Sequence, residues 1–323
     1  MKKRTLLLKK LATIIALAAS VGTTVVPTDV AAEAAGSRCK TVRLANAGWS
    51  DNTAGNAIAT ILLDGLGYTP TERFLSLPVI FVGLKNRQVD IFLDNWWPGQ
   101  ESTTQPYLSA GAVEILGQSV KGAHSGLAVP DYTYERGLHS FADIVKFKDS
   151  LNHEIYGIDP GSGANRITLS ILGTDALGLK DFKLVESSEQ GMLSQVKRKI
   201  RRGEDVVFTA WEPHPMNLDI KMKYLDDPDA FFGPHGVSKV YIIARAGYKN
   251  DCPNVAKFLG NLVIPLSAEN VVMAAIRHHD EAPLVAAKSW IRAHPDSLDR
   301  WLEGVTTIDG GDGRAAIHEV LGF

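Results

Sequence analysis

A short apolar run at residues 206–210 leads into Trp211 and ends there. Its two valines and one phenylalanine predict a buried strand. Pro213 and Pro215 lack the backbone N–H that a strand ladder needs, so a stiff loop must follow the tryptophan. We therefore expect the indole of Trp211 to be held at the carboxyl edge of a sheet, where ligands bind in open α/β proteins.

Two other segments of the chain repeat this arrangement. A strand-like run at 41–46 leads to Trp49, and another at 89–95 leads to Trp96 and Trp97. Three strands that each end in tryptophan predict one aromatic pocket, assembled from distant parts of the chain. The alternative is that these rings belong to the core, which is the expectation for Trp290 and Trp301 because they fall within helical patterns.

The chain alternates strand and helix signals after its N-terminal segment. Strand-like runs at 41–46, 74–77 and 89–94 are separated by helical spacing of apolar residues over 57–66 and 79–85. Such alternation predicts a mostly parallel sheet with helices on both faces, an α/β fold.

The pattern changes near residues 118–122, and a second α/β segment extends to about residue 235. Its predicted elements are a strand at 127–130, a helix at 141–151, a strand at 155–159, a helix-opening turn at 160–165, a helix at 192–202 and a strand at 205–210. A strand at 240–244 follows, and then helices at 254–262, 268–277, 282–293 and 297–303.

The first 35 residues have the features of a secretory signal peptide. Five lysines and arginines precede an apolar run from Leu11 to about Val26, and small residues suited to cleavage follow it. A single membrane anchor is the alternative, although the run is near the lower limit of length for spanning a bilayer. We expect an exported, periplasmic protein.

The chain contains two cysteines, Cys39 and Cys252. In an exported protein an even pair predicts one disulfide, and the alternative is two free buried thiols. Such a bridge would require the chain to return, after more than 200 residues, to the domain in which it began.

Several function classes have no support in the sequence. The formal net charge of −2 lacks the excess of positive charge that is typical of nucleic-acid binding, and the residues around His278 and His279 lack zinc-ligand spacing. The loop Gly161–Asn165 lacks the lysine of a phosphate-binding P-loop, and Ser162 does not stand in a nucleophile elbow. We expect no metal, no cofactor and no enzymatic activity.

The tryptophans indicate a more specific chemistry. The faces of Trp49, Trp96 or Trp97, and Trp211 would attract a cation without forming hydrogen bonds to it. Quaternary ammonium groups suit such a cage because they have no N–H to donate.

Other residues would contact the remainder of the ligand. Gly161 and Ser162 precede a predicted helix whose free N–H groups could bind a carboxylate. His124 and Ser125 could donate hydrogen bonds as well. Asp51 could accept one from a ligand hydroxyl, or it could instead cap the helix that follows Trp49.

At these residues the chain resembles the periplasmic choline and glycine betaine binding proteins of ABC importers, over nearly its whole length after the signal peptide. The motifs that carry the resemblance are Gly48-Trp49-Ser50-Asp51, Asp94-Asn95-Trp96, Ile155-Tyr156-Gly157-Ile158, the run 185–193, Trp211-Glu212-Pro213-His214-Pro215-Met216, Cys252-Pro253-Asn254-Val255 and the tail around 302–313.

The resemblance implies two α/β lobes, each a mostly parallel sheet flanked by helices, which are joined by a hinge and close on a ligand held between them. From the change of pattern along the chain, we place lobe I at residues 36–121 and 236–323, and lobe II at residues 122–235. The resemblance further implies that Trp49, Trp96 and Trp211 line the ammonium cage, that Cys39 and Cys252 are bridged, and that a monomer delivers its ligand to an inner-membrane permease.

The chain departs from the choline-specific pattern at two positions. Ser125 stands where a tyrosine would complete the cage, and Ser162 stands where an asparagine would touch the ligand. Both changes favour glycine betaine or a related zwitterion, and the candidates for the missing ring are Tyr132, Tyr134 and Trp97.

Three alternatives remain open. The ligand could be carnitine or another betaine. The protein could be a periplasmic serine hydrolase of choline esters that uses Ser162 with His124 or His214. It could also bind an amino acid or another cation with N–H groups, which would require several carboxylates around the ammonium.

Overall fold

The computed structural model of the protein describes residues 39–174 and 176–323. Within these ranges, the strands are β1 Thr41–Asn46, β2 Thr69–Phe74, β3 Ile91–Trp97, β4 Val113–Pro130, β5 Glu154–Tyr156, β6 Lys183–Val185, β7 Val207–Glu212, β8 Met222–Tyr224 and β9 Val237–Arg245.

The helices of the same residues are α1 Ser50–Gly65, α2 Leu77–Lys85, α3 Glu101–Ser109, α4 Asp131–Glu135, α5 Gly163–Leu172, α6 Glu189–Arg201, α7 Met216–Asp219, α8 Tyr248–Asp251, α9 Pro253–Asn261, α10 Leu266–His279, α11 Pro283–Ala293, α12 Asp296–Trp301 and α13 Gly313–Leu321, with 3₁₀ turns at Phe141–Phe147 and Pro234–Gly236.

All nine strands belong to one sheet, in the order β2-β1-β3-β9-β4-β7-β5-β6, with β8 paired to β4. Strands β2, β1 and β3 are parallel and form what we call the first half-sheet. Strands β7, β5 and β6 are also parallel and form the second half-sheet. The long strands β4 and β9 join the two halves as an antiparallel pair. The predicted α/β class, with mostly parallel strands in each half, is confirmed.

The joining pair is irregular along its length. The register between β4 and β9 shifts three times, between Ile115 and Gly117, between Gln118 and Val120, and between Val120 and Ala123. Such bulges bend a strand and increase its twist. The predicted lobe boundary at residues 121–122 falls inside β4, beside Gly122 with its φ of +79°. The lobe boundaries themselves stay a prediction.

Two buried clusters each belong largely to one half-sheet, and a third spans both, with Phe92 of the first half-sheet and Phe208 of the second among its members. Helices α1, α10 and α11 pack with β1 in the first core, which also contains Trp290 and Trp301. These two indoles are therefore core residues, as predicted. The second half-sheet packs against Phe141, Phe232 and the apolar face of α5.

The predicted disulfide is present between Cys39 and Cys252, with a Cα–Cα distance of 5.6 Å. It links Cys39, two residues before β1, to Cys252 at the start of α9, across a sequence separation of 213 residues. The chain thus returns late to the half-sheet in which its described part begins.

Some predicted elements are wrong. The predicted strand at 74–77 is instead β2, Thr69–Phe74, and Leu77 already opens α2. Strand β2 lies at the edge of the sheet and is mostly exposed, so its sequence carries no apolar alternation. The predicted helix at 141–151 is a 3₁₀ turn that ends at Phe147.

Other elements had no sequence prediction, chiefly α3, α13 and the first part of β4. The predicted signal peptide, residues 1–35, lies outside the described residues. Among the residues that are described, no helix combines the length and apolar character needed to cross a membrane.

Candidate functional site

The three predicted tryptophans lie close to one another at the ends of three strands. Trp49 follows β1 and occupies the N-cap position of α1. Trp96 lies near the end of β3, beside β1 in the first half-sheet, and Trp211 lies near the end of β7 in the second. The carboxyl edges of the two half-sheets therefore meet around these rings.

A cavity lies between them. Its lining residues are Trp49, Asp51, Trp96, Gly99, Gln100, Ser125, Ile158, Ser162, Gly163, Ala164, Ile167, Thr209, Ala210, Trp211, Phe232 and Ser238. Six of the eight predicted site residues are among them. Neither lysine nor arginine lines the cavity in the described part of the chain, and Asp51 is its one acidic residue.

Hydrogen bonds fix two of the three indoles at their edges. Trp49 donates from Nε1 to the Asp159 carboxylate at 3.0 Å, and Trp96 donates to Asp94 at 2.7 Å. Because the N–H groups are engaged in the ring planes, the ring faces remain available to a cation. Trp211 packs edge-on against His214, with ring centroids 4.7 Å apart.

None of the candidates for the missing cage ring lines the cavity. Trp97 donates to Asn95 and packs edge-on against Tyr241, and Tyr132 hydrogen-bonds to the backbone of Glu204. Tyr134 packs in the core of the second half-sheet instead. The further aromatic ring at the cavity is Phe232, which no strand-end motif marks in the sequence.

Asp51 is 3% exposed in the first turn of α1 and accepts a hydrogen bond from the backbone N–H of Asn52. It is not the helix cap, since Trp49 holds that position. Burial raises the pKa of Asp51 well above its ordinary value, and the charges of Asp94 and Glu189 raise it further. Burial disfavours the charged form of such a carboxyl group, and a nearby cation would favour it.

Ser125 and His124 point to opposite sides of β4, because adjacent residues of a strand alternate between its faces. The Ser125 hydroxyl lies on the cavity side, 2.8 Å from the hydroxyl of Ser238. His124 instead packs edge-on against Tyr224, in a neighbouring hollow. The structure thus does not bring His124 to the cavity.

Ser162 is the N-cap of α5, and its hydroxyl accepts a hydrogen bond from the Asn165 N–H at 3.3 Å. Gly161 precedes it in a left-handed conformation with φ of +83° and does not line the cavity. At Gly163 a Cβ would lie only 2.6 Å from the backbone of Gly99, so a side chain would push the two segments apart. Glycine at this position lets the start of α5 approach the turn after β3.

Glu189 connects the two half-sheets. Its carboxylate, 1% exposed at the start of α6, accepts from the Ser50 N–H at 2.8 Å and from the Ser50 hydroxyl. Arg277 of α10 and His214 also contact it, at 3.2 and 3.1 Å. Burial alone would raise the pKa of Glu189, but hydrogen bonds from His214 and Ser50 outweigh it and lower that pKa. Glu189 was not predicted as a functional residue.

Two half-sheets that enclose an aromatic cavity and are joined by an irregular pair of strands define a two-lobed solute-binding protein. The model of the OpuAC family, the substrate binding domain of the ABC-type glycine betaine transport system, matches residues 40–293. The chain belongs to this family, and the predicted resemblance is confirmed.

Solved structures agree with this assignment. An ABC-transporter choline binding protein in complex with choline is 44% identical, with 88% of this chain and 99% of that chain covered and a TM-score of 0.86. Lactococcal OpuAC in a closed form complexed with glycine betaine is 30% identical, with 81% and 99% covered and a TM-score of 0.74.

A curated relative is the glycine betaine/carnitine transport binding protein GbuC of Listeria monocytogenes. It is 30% identical over 164 residues, which are 51% of this chain and 54% of that protein.

Proposed function

We propose that the cavity binds the trimethylammonium group of a glycine betaine or choline type ligand against Trp49, Trp96 and Trp211. The observation that carries the proposal is the convergence of three indoles, from separate segments of the chain, on one cavity that no described lysine or arginine lines. Each face contributes about 0.5–2 kcal/mol to holding such a cation, and three faces together are compatible with micromolar binding.

Three further predicted residues have a place in this proposal, whereas His124 and Gly161 have none. Asp51 and Ser162 line the cavity, and Ser125 on β4 lies directly opposite Trp211 on β7. The family and the predicted signal peptide support a role as the periplasmic component of an importer, which releases its ligand to a permease.

A binder of amines with N–H groups would need several acceptors around the nitrogen. Among the described residues, Asp51 is the one carboxyl group that lines this cavity, and the indole faces accept no conventional hydrogen bonds. The serine hydrolase alternative gains no support either, because the Ser162 hydroxyl caps α5, while His214 is engaged by Glu189 and the N–H of Met216.

Titration calorimetry with glycine betaine, choline, carnitine and proline betaine tests the proposal. We expect saturable heat with at least one of them, and competition between any two that bind. Absence of heat with all four would overturn the proposal.

A further inference from the structure

Two buried polar atoms at the cavity lack a hydrogen-bond partner within the described residues. They are the hydroxyl of Thr209, on a residue 1% exposed, and the indole Nε1 of Trp211, on a residue 5% exposed. Both residues line the cavity. They stand two positions apart on β7, so their side chains lie on the same face of the sheet. Buried polar groups almost always have a hydrogen-bond partner, so we expect a bound ligand to supply one for these two groups.

A third hydrogen-bonding group lies on the neighbouring strands. Ser125 is directly opposite Trp211 in the ladder between β4 and β7, so their side chains share a face. Its hydroxyl pairs with that of Ser238 on β9, and both serines line the cavity. When one hydroxyl donates to the other, the proton of the second remains free to donate to a ligand.

We infer that Thr209, the Trp211 N–H and the Ser125–Ser238 pair form a donor subsite that binds a carboxylate of the ligand. This inference rests on the proposed function, since the cage must hold the ammonium group next to the subsite. The indole N–H can only donate, and the hydroxyls of Thr209 and the serine pair can donate as well.

The chemistry of the acceptor follows from the number of donors. A carboxylate has two oxygens with about four acceptor positions, enough for all three donors at once. A single ligand hydroxyl offers two lone pairs on one oxygen and carries a proton of its own, so it would leave part of the donor subsite unpaired. The donor subsite therefore selects a zwitterion over an alcohol of the same size.

Calorimetry on Thr209→Val tests this, with glycine betaine, choline and tetramethylammonium as ligands. Valine matches threonine in shape but removes the hydroxyl. We expect glycine betaine to bind about 10-fold or more weakly, because a charge-assisted hydrogen bond is lost. Binding of tetramethylammonium, and of choline, should change by no more than about 2-fold, because neither presents a carboxylate.

The control variant is Thr209→Ser, which keeps the hydroxyl and should retain most of the affinity for glycine betaine. A structural role predicts that Thr209→Val lowers the melting temperature. The donor subsite predicts that the ligand-free variant melts at the wild-type temperature or above, because an unpaired buried hydroxyl has been removed. Trp211→Phe, which keeps a ring without the N–H, should also weaken glycine betaine more than tetramethylammonium.

The inference is overturned if wild-type protein binds glycine betaine and Thr209→Val binds it equally well. It is likewise overturned if all three ligands weaken by the same factor, or if choline weakens as much as glycine betaine. Absence of binding to every ligand by the wild-type protein would instead overturn the proposed function, and the donor subsite with it.

Discussion

Replacement of Glu189 by glutamine removes the negative charge that links the two half-sheets while keeping the size of the side chain. The donors from the first half-sheet are Ser50, at the start of α1, and Arg277, on α10. Glu189 does not line the cavity, so the substitution leaves the cage itself intact. We expect the substitution to shift the equilibrium between a closed arrangement, in which the half-sheets are in contact, and an open arrangement.

The magnitude follows from the contacts. A hydrogen bond to a charged group contributes about 1.5–3 kcal/mol. The amide oxygen of glutamine can still accept one bond without the charge, so we assign a net loss of about 1.5–3 kcal/mol to the closed arrangement. On the hypothesis that the ligand binds to the closed arrangement, this loss should weaken ligand affinity by about 10- to 100-fold.

Calorimetry with glycine betaine measures this change. The matched control is Glu212→Gln, the same substitution at an exposed residue beside Trp211, and its affinity should equal that of the wild type. A Glu189→Gln variant that binds within about 2-fold of the wild type would refute the reasoning, since the contacts across the half-sheets would then contribute nothing to closure.

Three further outcomes are expected. Trp211→Ala should weaken ligand binding by about 10-fold or more in calorimetry, because a cage face and its packing are lost together; an unchanged affinity would exclude Trp211 from the cage. Replacing Cys39 and Cys252 by serine should lower the free energy of unfolding by about 2–5 kcal/mol in denaturant titrations; equal midpoints would contradict this. A bound cation should lower the raised pKa of Asp51, so the ligand affinity should rise with pH between the pKa of Asp51 in the bound protein and its pKa in the free protein. Calorimetry in buffers of different ionisation enthalpy would detect the proton that is released. A pH-independent affinity would show that the bound cation does not interact with Asp51.

The convergence of the tryptophans on one cavity was more predictable from the sequence than the boundaries of the secondary-structure elements. Trp49, Trp96 and Trp211 could be predicted because each follows an apolar run that stops at glycine or proline, a local signal. Cys39 and Cys252 could be paired because the chain has no other cysteine. In the first case the evidence lies in a few neighbouring residues, and in the second it lies in the number of cysteines.

Other features depend on contacts that sequence spacing does not reveal. Thr209 and Ser238 belong to the cavity only because β7, β4 and β9 lie side by side in a register that joins distant segments. The local sequence shows Glu189 only as an acidic residue at the start of a helix. Its contact between the half-sheets depends on Arg277, which lies 88 residues away in the sequence. Strand β2 was misplaced because an exposed edge strand has no apolar face to mark it.

A crystal structure of the protein with glycine betaine tests the central claim most directly. We predict that the trimethylammonium nitrogen lies within about 6 Å of the ring centroids of Trp49, Trp96 and Trp211. A ligand bound outside this cavity, or an ammonium group surrounded by carboxylates with the indole faces turned away, would contradict the account.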